Sequence, residues 1–284
     1  MKKVLVTGAG GFVGAHILDQ WRGLYELSAF PRGFLAEADE SSVEAFIRNE
    51  TPDVVIHTAA LSNTQHCEQN PEASYRANVL LPEWVAKAAA RVGAKLISFS
   101  SDQVYAGVEQ RGPLVETLTL SPSNVYGRHK LEAENRVLAQ YPDAVLLRLT
   151  WMYDFPGYKL PIRGNLPLNL LKVARTCEMM RFSVNDHRGV SYVREVISNL
   201  IPAMELPGGV YNFGSGNNYN MYDTAKHFAR LLRVEPKLEP AEWSRNLLMD
   251  TGKLKEHGIA FNCTLDAFRQ CLTDYGLDAD ERLF

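Results

Sequence analysis

The amino-acid sequence predicts an α/β fold of the Rossmann type, a doubly wound parallel sheet that carries a smaller C-terminal lobe. Short apolar runs alternate with helical patterns over the first half of the 284 residues, as in successive βαβ units. The first run, Val4–Val6, leads directly into a cluster of glycines, and a helical pattern then extends from Phe12 to Trp21. The alternation ends near residue 150, so we expect a sheet domain over residues 1–150 and a lobe over residues 151–284.

The individual elements follow from the spacing of apolar residues. Strands are predicted at Lys3–Thr7, Tyr25–Phe30, Asp53–Thr58, Lys95–Ser100 and Ala144–Leu149. Helices are predicted near Phe12–Trp21, Ser41–Asn49, Pro71–Val92 and Ser123–Gln140. After an irregular loop over 151–170 come another helix, a strand at Met179–Val184 and helices at Val193–Met204, Tyr222–Leu232 and Leu265–Thr273. This lobe should cover the carboxyl edge of the sheet, with some of its segments packed back on the first domain.

The glycine cluster after the first strand predicts a phosphate site. A tight turn needs residues that tolerate positive φ, and the missing Cβ lets backbone N–H groups approach a pyrophosphate. The helix dipole favours the negative charge placed there. The residues expected to form this part of an NAD(P)-binding site are Gly8, Gly10, Gly11, Phe12, Val13 and Gly14. The alternative is a structural βα turn whose glycines only permit close packing.

The end of the second strand bears on the choice between the two dinucleotides. An acidic residue there would accept hydrogen bonds from the adenosine ribose and favour NAD. This chain has Pro31 and Arg32 instead, and a planar guanidinium suits bidentate contact with a 2′-phosphate. NADP is therefore the favoured cofactor. NAD stays open because Glu37 or Asp39 could reach the ribose.

Composition excludes several other classes of protein. A net charge of −3 leaves no basic footprint for nucleic acid. The apolar run after the two N-terminal lysines is too short for a signal or membrane segment, so we expect a cytoplasmic protein. The four cysteines are scattered without metal-ligand spacing, and we predict neither disulfides nor bound metal.

The candidate chemistry lies in a Tyr–Lys pair. Tyr126 and Lys130 are four residues apart, which places them on one face of a helix. A nearby ammonium lowers the pKa of a phenol, and such a tyrosine could exchange a proton with an oxyanion as hydride reaches a carbonyl carbon. Tyr222 and Lys226 have the same spacing, but they follow the end of the sheet and are interpreted as structural.

Serine hydroxyls close the fourth strand, at the edge where a nicotinamide would lie. Ser101 could hydrogen-bond a carbonyl oxygen that gains charge, although a turn or a helix cap would explain it equally well. Trp151 opens an aromatic group after the fifth strand that could stack on a sugar or a base, or fill the interface with the lobe.

Seven segments resemble, in the same order, the motifs of extended short-chain dehydrogenases/reductases, and within them those of the dTDP-4-dehydrorhamnose reductase family. In the first domain and at its end these are Val6–Gly14, Pro52–Ala60, Ser100–Gly107, Pro122–Leu131 and Leu147–Tyr153. In the tail they are Asn185–Tyr192 and Leu248–Leu254. The resemblance therefore covers most of the chain.

The resemblance implies a role for each matching residue. Tyr126 would donate the proton, Lys130 would hold the nicotinamide ribose, and Ser101 would take the place of the family's threonine. Asp102 and Trp151 would face the sugar of a nucleotide-linked substrate, and Thr58, Ala59 and Ala60 would line the cofactor cleft. The implied reaction is NADPH-dependent reduction at C4 of a 4-keto-6-deoxy sugar, as in dTDP-rhamnose biosynthesis.

Some departures from the family lie in its substrate and assembly regions. The Pro-Thr pair of the DQxGxPT motif is altered here, and Ala15–His16 replaces acidic residues that link metal-bound dimers in some members. We therefore expect no such metal and leave a homodimer open. The alternative function is a non-catalytic subunit that binds dinucleotide and regulates a partner, as the regulatory subunit of methionine adenosyltransferase does. The presence of Ser101, Tyr126 and Lys130 together favours the enzyme.

Overall fold

The computed structural model describes residues 1–277, which contain ten strands and twelve α-helices. The strands are β1 (Lys3–Thr7), β2 (Glu26–Ala29), β3 (Val54–His57), β4 (Lys95–Ser101), β5 (Val145–Leu149), β6 (Trp151–Tyr153), β7 (Met179–Arg188), β8 (Val190–Tyr192), β9 (Gly209–Phe213) and β10 (Lys237–Leu247). The helices are α1 (Phe12–Gln20), α2 (Phe34–Glu37), α3 (Glu40–Glu50), α4 (Thr64–Gln69), α5 (Pro71–Tyr75), α6 (Leu81–Val92), α7 (Val125–Gln140), α8 (Leu166–Thr176), α9 (Val193–Ala203), α10 (Met221–Leu231), α11 (Gly252–Glu256) and α12 (Thr264–Asp274). A π turn, Arg76–Leu80, joins α5 to α6, and a 3₁₀ turn, Asp102–Tyr105, follows β4.

The main sheet has six strands, all parallel, in the order β2-β1-β3-β4-β5-β9. Its strands are apolar on both faces because helices cover both. One face packs against α1 and α9 through residues such as Val6, Ile17 and Ile197. The other packs against α3 and α6 through residues such as Leu5, Val43 and Val85. The predicted fold class, a doubly wound parallel sheet with a smaller lobe, is confirmed.

The lobe has a core of its own above the carboxyl edge of the sheet. Two parallel strand pairs, β6 with β8 and β7 with β10, lie against α8, α10 and α12. The rings of Phe228 and Phe268 stack at the centre of this core, with centroids 3.9 Å apart. A buried contact ties α1 to the segment after β6, since His16 Nε2 lies 2.8 Å from Asp154 Oδ2.

The sequence patterns located all five strands of the first domain to within two residues, but they missed β6, β8, β10 and β9, the last of which completes the main sheet. This strand returns from the second half of the chain and pairs with β5 in register, Val145 opposite Gly209. Its five residues begin with Gly209, directly after Gly208, and give no alternation of their own. The division at residue 150 stays a prediction. Within residues 1–277, none of the helices is long and apolar enough to cross a membrane.

Candidate active site

The turn between β1 and α1 is built around the carbonyl oxygen of Gly8. That oxygen accepts a hydrogen bond from the Gly11 N–H at 2.8 Å, and a Cβ on Gly14 would overlap it. Gly8 itself has φ of +68°, and a Cβ there would lie 2.8 Å from Thr58 Oγ1. Gly8 and Gly14 are therefore required by packing, as the structural interpretation of this turn proposed.

Gly10 has a different environment, and it indicates a ligand. It is exposed, its φ is not positive, and a Cβ built on it meets no atom within 4 Å. Packing does not account for a glycine there, whereas an approaching phosphate would. No side chain caps the start of α1 at Gly11, so the first N–H groups, those of Phe12 and Val13, lack intrahelical partners. The predicted residues therefore fit a pyrophosphate.

The predicted cleft residues after β3 lie directly beside this turn. The Thr58 hydroxyl donates to the Thr7 carbonyl at 2.7 Å, and the N–H groups of Thr58 and Ala59 donate to Thr7 Oγ1 at 3.1 and 3.2 Å. Ala60 is exposed one residue further on. These contacts fix the end of β3 next to the glycine turn, with small side chains facing the space above it.

Arg32 is exposed in the segment that follows β2, and no polar partner of its guanidinium is found within residues 1–277. Gly33 follows with φ of +82° and opens the single turn α2. Glu37 and Asp39 are the acidic residues that could reach the ribose of NAD. Glu37 ends α2, and Asp39 caps α3 by accepting the Ser42 N–H at 2.8 Å. The carboxylate of Asp39 is thereby engaged within its own helix end, whereas Arg32 is free to meet an anion.

The predicted triad meets at the carboxyl end of β4. Ser101 is the last residue of β4, and Tyr126 lies in the first turn of α7, capped by Asn124. The approach of α7 depends on Gly127, where a Cβ would overlap the carbonyl oxygen of Gln103. The Tyr126 and Ser101 hydroxyls then face each other closely enough that Ser101 affects the pKa of the phenol. Sequence reasoning had no signal for the role of Gly127.

Lys130 lies one helical turn after Tyr126, under its ring. Its Nζ is 6.0 Å from the ring centroid and donates to the Phe99 carbonyl at 2.7 Å. Only 3% of the residue is exposed. Burial lowers the pKa of Lys130 to about 8, with the Glu134 carboxylate opposing that effect. The ammonium therefore persists at neutral pH, in a site with little solvent.

The pKa of Tyr126 is raised, the reverse of the direction expected from its spacing to Lys130. Burial is the main cause, the Ser101 hydroxyl opposes it, and the Asp102 carboxylate adds to the increase. Spacing showed that the two side chains are neighbours, but it could not show that the phenol is 6% exposed. The phenol therefore holds its proton at neutral pH and is a weaker acid than an exposed tyrosine, so its proton transfer depends on stabilisation of the phenolate.

Ser101 also caps a turn, the structural role that the sequence analysis gave as its alternative. Its hydroxyl accepts the Gln103 N–H at 3.2 Å and so caps the 3₁₀ turn. The same hydroxyl donates to Asp102 Oδ1 at 3.2 Å. A cap and a contact to Tyr126 coexist because the turn holds the serine at the end of the strand.

Asp102 and Trp151, the two predicted substrate residues, are joined by a residue that sequence reasoning missed. Arg188 Nη2 donates to Asp102 Oδ2 at 2.5 Å, and its guanidinium carbon lies 5.5 Å from the centroid of the Trp151 ring. Asp102 is 1% exposed and Arg188 9%, and Arg188 Nε has no hydrogen-bond partner. Arg188 stands at the first variable position of the DQxGxPT motif, so the motif did not predict an arginine there.

Polar side chains fill the space between this edge of the sheet and α7. Glu134 receives Arg148 through two hydrogen bonds of 2.9 and 2.7 Å and Ser100 through one of 2.5 Å. His57 lies on β3, and its Nδ1 is hydrogen-bonded to the Thr7 hydroxyl at 2.8 Å. Burial, with a contribution from Lys130, lowers the pKa of His57 to about 3. His57 is thus neutral and structural.

The second Tyr–Lys pair lies far from this cluster. Tyr222 and Lys226 are on α10 in the lobe, with Lys226 Nζ 5.1 Å from the tyrosine ring. Lys226 is half exposed and pairs with Asp223. Neither residue contacts Ser101 or the glycine turn, in keeping with the structural interpretation.

The parallel sheet, the glycine turn and the Ser–Tyr–Lys cluster together define an extended short-chain dehydrogenase/reductase. Comparison with known proteins narrows the class. The family described as "RmlD substrate binding domain" matches residues 1–247. The chain therefore belongs to the RmlD family.

Individual relatives agree with this placement. Spore coat polysaccharide biosynthesis protein SpsK of Bacillus subtilis is 28% identical over 242 residues, 85% of this chain and 82% of that protein. The dTDP-4-dehydrorhamnose reductase of Mycolicibacterium smegmatis is 37% identical over 54% of this chain and 46% of its own length. Methionine adenosyltransferase 2 subunit beta of Xenopus laevis is 36% identical over 54% of this chain and 47% of its own. The last two matches thus span about half of those proteins.

Among solved structures, the dTDP-4-dehydrorhamnose reductase of Bacillus anthracis, in complex with NADP, superposes with a TM-score of 0.87. The superposition covers 96% of this chain and 99% of that one, at 20% sequence identity. At this identity the likeness shows a shared fold, including the lobe.

Proposed function

We propose that this protein is an NADPH-dependent reductase of a nucleotide-linked 4-keto-6-deoxy sugar, with Tyr126 as its proton donor. The observation that carries the proposal is the meeting of Ser101, Tyr126 and Lys130 at the edge of the sheet next to the glycine turn. The names of the reductases of Mycolicibacterium smegmatis and Bacillus anthracis, and the NADP in the latter structure, support the activity and the cofactor.

Each polar part of NADPH would meet a protein group that can bind it. The N–H groups of Phe12 and Val13 would face the pyrophosphate above Gly10, and Arg32 would meet the 2′-phosphate. Lys130 would leave the Phe99 carbonyl, or share its N–H groups with it, to hold the hydroxyls of the nicotinamide ribose. Bound NADPH would supply the hydride.

The proton chemistry belongs to Tyr126. As hydride reaches C4, the electron pair of the C=O bond moves to its oxygen, and the phenol gives that oxygen a proton. Because burial raises the pKa of the phenol, this transfer needs a group that stabilises the phenolate. Ser101 would donate a hydrogen bond to the same oxygen and stabilise its developing charge. Lys130, as a nearby ammonium, would stabilise the phenolate left behind.

The direct test is the oxidation of NADPH in the presence of dTDP-4-keto-6-deoxy-L-mannose generated in situ. Turnover with the wild type that is lost in Tyr126→Phe supports the reductase and its proton donor together. Tight NADPH binding with no turnover on this sugar, or on its nucleotide variants, would reject the proposed reaction.

The relative from Xenopus favours one second candidate, a regulatory subunit that binds dinucleotide without turnover. Limited access to the reacting groups is compatible with it, since Tyr126 is 6% and Ser101 8% exposed. A regulator has no need of the complete triad, which is why we place it second. Co-purification of a partner whose activity changes on binding, together with absent turnover, would favour it.

A further inference from the structure

The segment between β2 and α3 carries Arg32, and a single distant side chain holds it by hydrogen bonds. Residues 31–38 contain Pro31, Arg32, the left-handed Gly33 and the one-turn helix α2. Within the segment the backbone makes only three short-range hydrogen bonds, Phe34 N–H to Pro31, Ala36 N–H to Gly33 and Ala38 N–H to Phe34. Four residues of helix are too few to be stable alone. The position of Arg32 therefore depends on what the segment is attached to.

The segment has apolar and polar attachments. On the apolar side, the ring of Phe34 packs against those of Phe30 and Phe46, with centroids 5.2 and 5.5 Å away, and Leu35 and buried Ala38 contact the same core. On the polar side, Arg76 Nη1 donates to the Leu35 carbonyl at 3.1 Å, and Arg76 Nη2 donates to the Ala38 carbonyl. Across residues 1–277, no other side chain outside the segment hydrogen-bonds to it.

Arg76 is itself well positioned to hold two carbonyls at once. It begins the π turn between α5 and α6, and its guanidinium carbon lies 5.8 Å from the centroid of the Trp84 ring. The two carbonyls belong to Leu35 within α2 and to Ala38, its C-cap residue, and a forked guanidinium can bind both whereas an ammonium is a point charge. Arg76 is thus a C-terminal cap supplied by another helix.

We propose that Arg76 is a positioning residue for the 2′-phosphate of NADP, which acts by fixing the segment that presents Arg32. The inference rests on the cofactor part of the proposed function and extends it. Arg32 needs to be ordered before it can select the phosphate. If the segment is loose, its ordering opposes binding, and the 2′-phosphate loses the contact that distinguishes it.

The test uses two small ligands that differ only in that phosphate, 2′,5′-ADP and 5′-AMP, with affinities measured by calorimetry. The proteins are the wild type, Arg76→Met, Arg76→Lys, Arg32→Ala and the double variant Arg76→Met/Arg32→Ala. Arg91→Met is the matched control, because Arg91 lies on α6, which follows the π turn of Arg76, and pairs with Glu44 of α3, away from the Arg32 segment. Thermal unfolding of each variant reports whether the fold is retained.

We expect Arg76→Met to lower the affinity for 2′,5′-ADP by roughly 5- to 20-fold and to leave the affinity for 5′-AMP within about two-fold of the wild-type value. The affinity of Arg76→Lys for 2′,5′-ADP should lie between those of the wild type and Arg76→Met. Arg91→Met should bind both ligands as the wild type does. In the double variant, 2′,5′-ADP should bind no more weakly than it does to Arg32→Ala alone, because both changes remove the same contact.

Equal losses for both ligands, or additive losses in the double variant, would overturn the inference, since Arg76 would then act on the whole site. A wild type with no preference for 2′,5′-ADP would refute NADP as the cofactor, a different failure. If Arg76→Met does not fold, the rate of trypsin cleavage after Arg32 in the Arg76→Lys variant tests the inference instead. Cleavage at the wild-type rate in that folded variant would overturn the inference, and faster cleavage supports it.

Discussion

Arg188 donates to the carboxylate of Asp102 across 2.5 Å, and both side chains are withdrawn from solvent at the reacting end of the candidate site. The carboxylate follows the predicted catalytic serine, while the guanidinium lies against Trp151. One ion pair thus joins the sheet domain to the lobe beside Ser101.

Arg188→Met should destabilise the protein by roughly 3–5 kcal/mol, because buried Asp102 would lose the cation that is hydrogen-bonded to it. The KM of the sugar substrate should rise more than that of NADPH, since Asp102 and Trp151 are the residues predicted to face the sugar. Urea unfolding and steady-state kinetics measure the two effects. Arg269→Met is the control, because its pair with Asp266 is exposed and should contribute less than about 1 kcal/mol. Equal stability of the two variants would contradict the prediction.

Tyr126→Phe should lower kcat by roughly 10²- to 10⁴-fold, because only the acidic hydroxyl is removed. The affinity for NADPH should stay within about two-fold of the wild type. Tyr222→Phe makes the same change in the second Tyr–Lys pair and should leave kcat unaltered. Comparable losses in the two variants would remove the basis for assigning Tyr126 as the donor.

NADPH affinity should fall as pH rises through about 8, where Lys130 loses its proton. The stability of the fold should change in the opposite direction. Since burial lowers this pKa from 10.5, the folded state releases the proton first, and the free energy of unfolding rises with pH between about 8 and 10.5. The titration of Lys130 would therefore weaken binding above pH 8 without destabilising the fold. Fluorescence titration of NADPH across this range tests it, and Lys130→Met should give weak binding that does not vary with pH there.

Gly14→Ala and Gly10→Ala should separate packing from ligand binding. At Gly14 the added methyl would overlap the Gly8 carbonyl, so we expect a loss of about 1–3 kcal/mol in stability along with weaker NADPH binding. At Gly10 it meets open space, so stability should be retained while NADPH binds at least about ten-fold more weakly. Unaltered NADPH affinity in Gly10→Ala would show that this turn does not hold the phosphates.

His57→Asn should make the protein less sensitive to acid. Burial lowers the pKa of His57 from 6.5 to about 3, so the unfolded chain takes up a proton before the folded state does. The wild type should therefore lose up to about 1.4 kcal/mol of stability per pH unit as pH falls from 6.5 to 3, and the variant should lack this slope. Exposed His66 is the control, and His66→Asn should keep the slope. Unfolding by urea at several pH values measures it.

The sequence alone determined the fold class, the five strands of the first domain and the position of the glycine turn. These depend on local signals, namely apolar runs, glycines with restricted conformations and the one-turn spacing of Tyr126 and Lys130. The same locality explains why Ser101 could be named, because it closes a strand that the pattern had already placed.

Tertiary structure decided what depends on contacts between distant parts of the chain. The pairing of β9 with β5, the capping of α2 by Arg76 and the ion pair of Arg188 with Asp102 join residues far apart in sequence. The direction in which the pKa of Tyr126 is shifted was also decided by the tertiary structure. Spacing places an ammonium beside the phenol, but only the packed structure shows that the phenol is withdrawn from water. Burial and the Asp102 carboxylate both raise its pKa, and the opposing effect of the Ser101 hydroxyl is smaller.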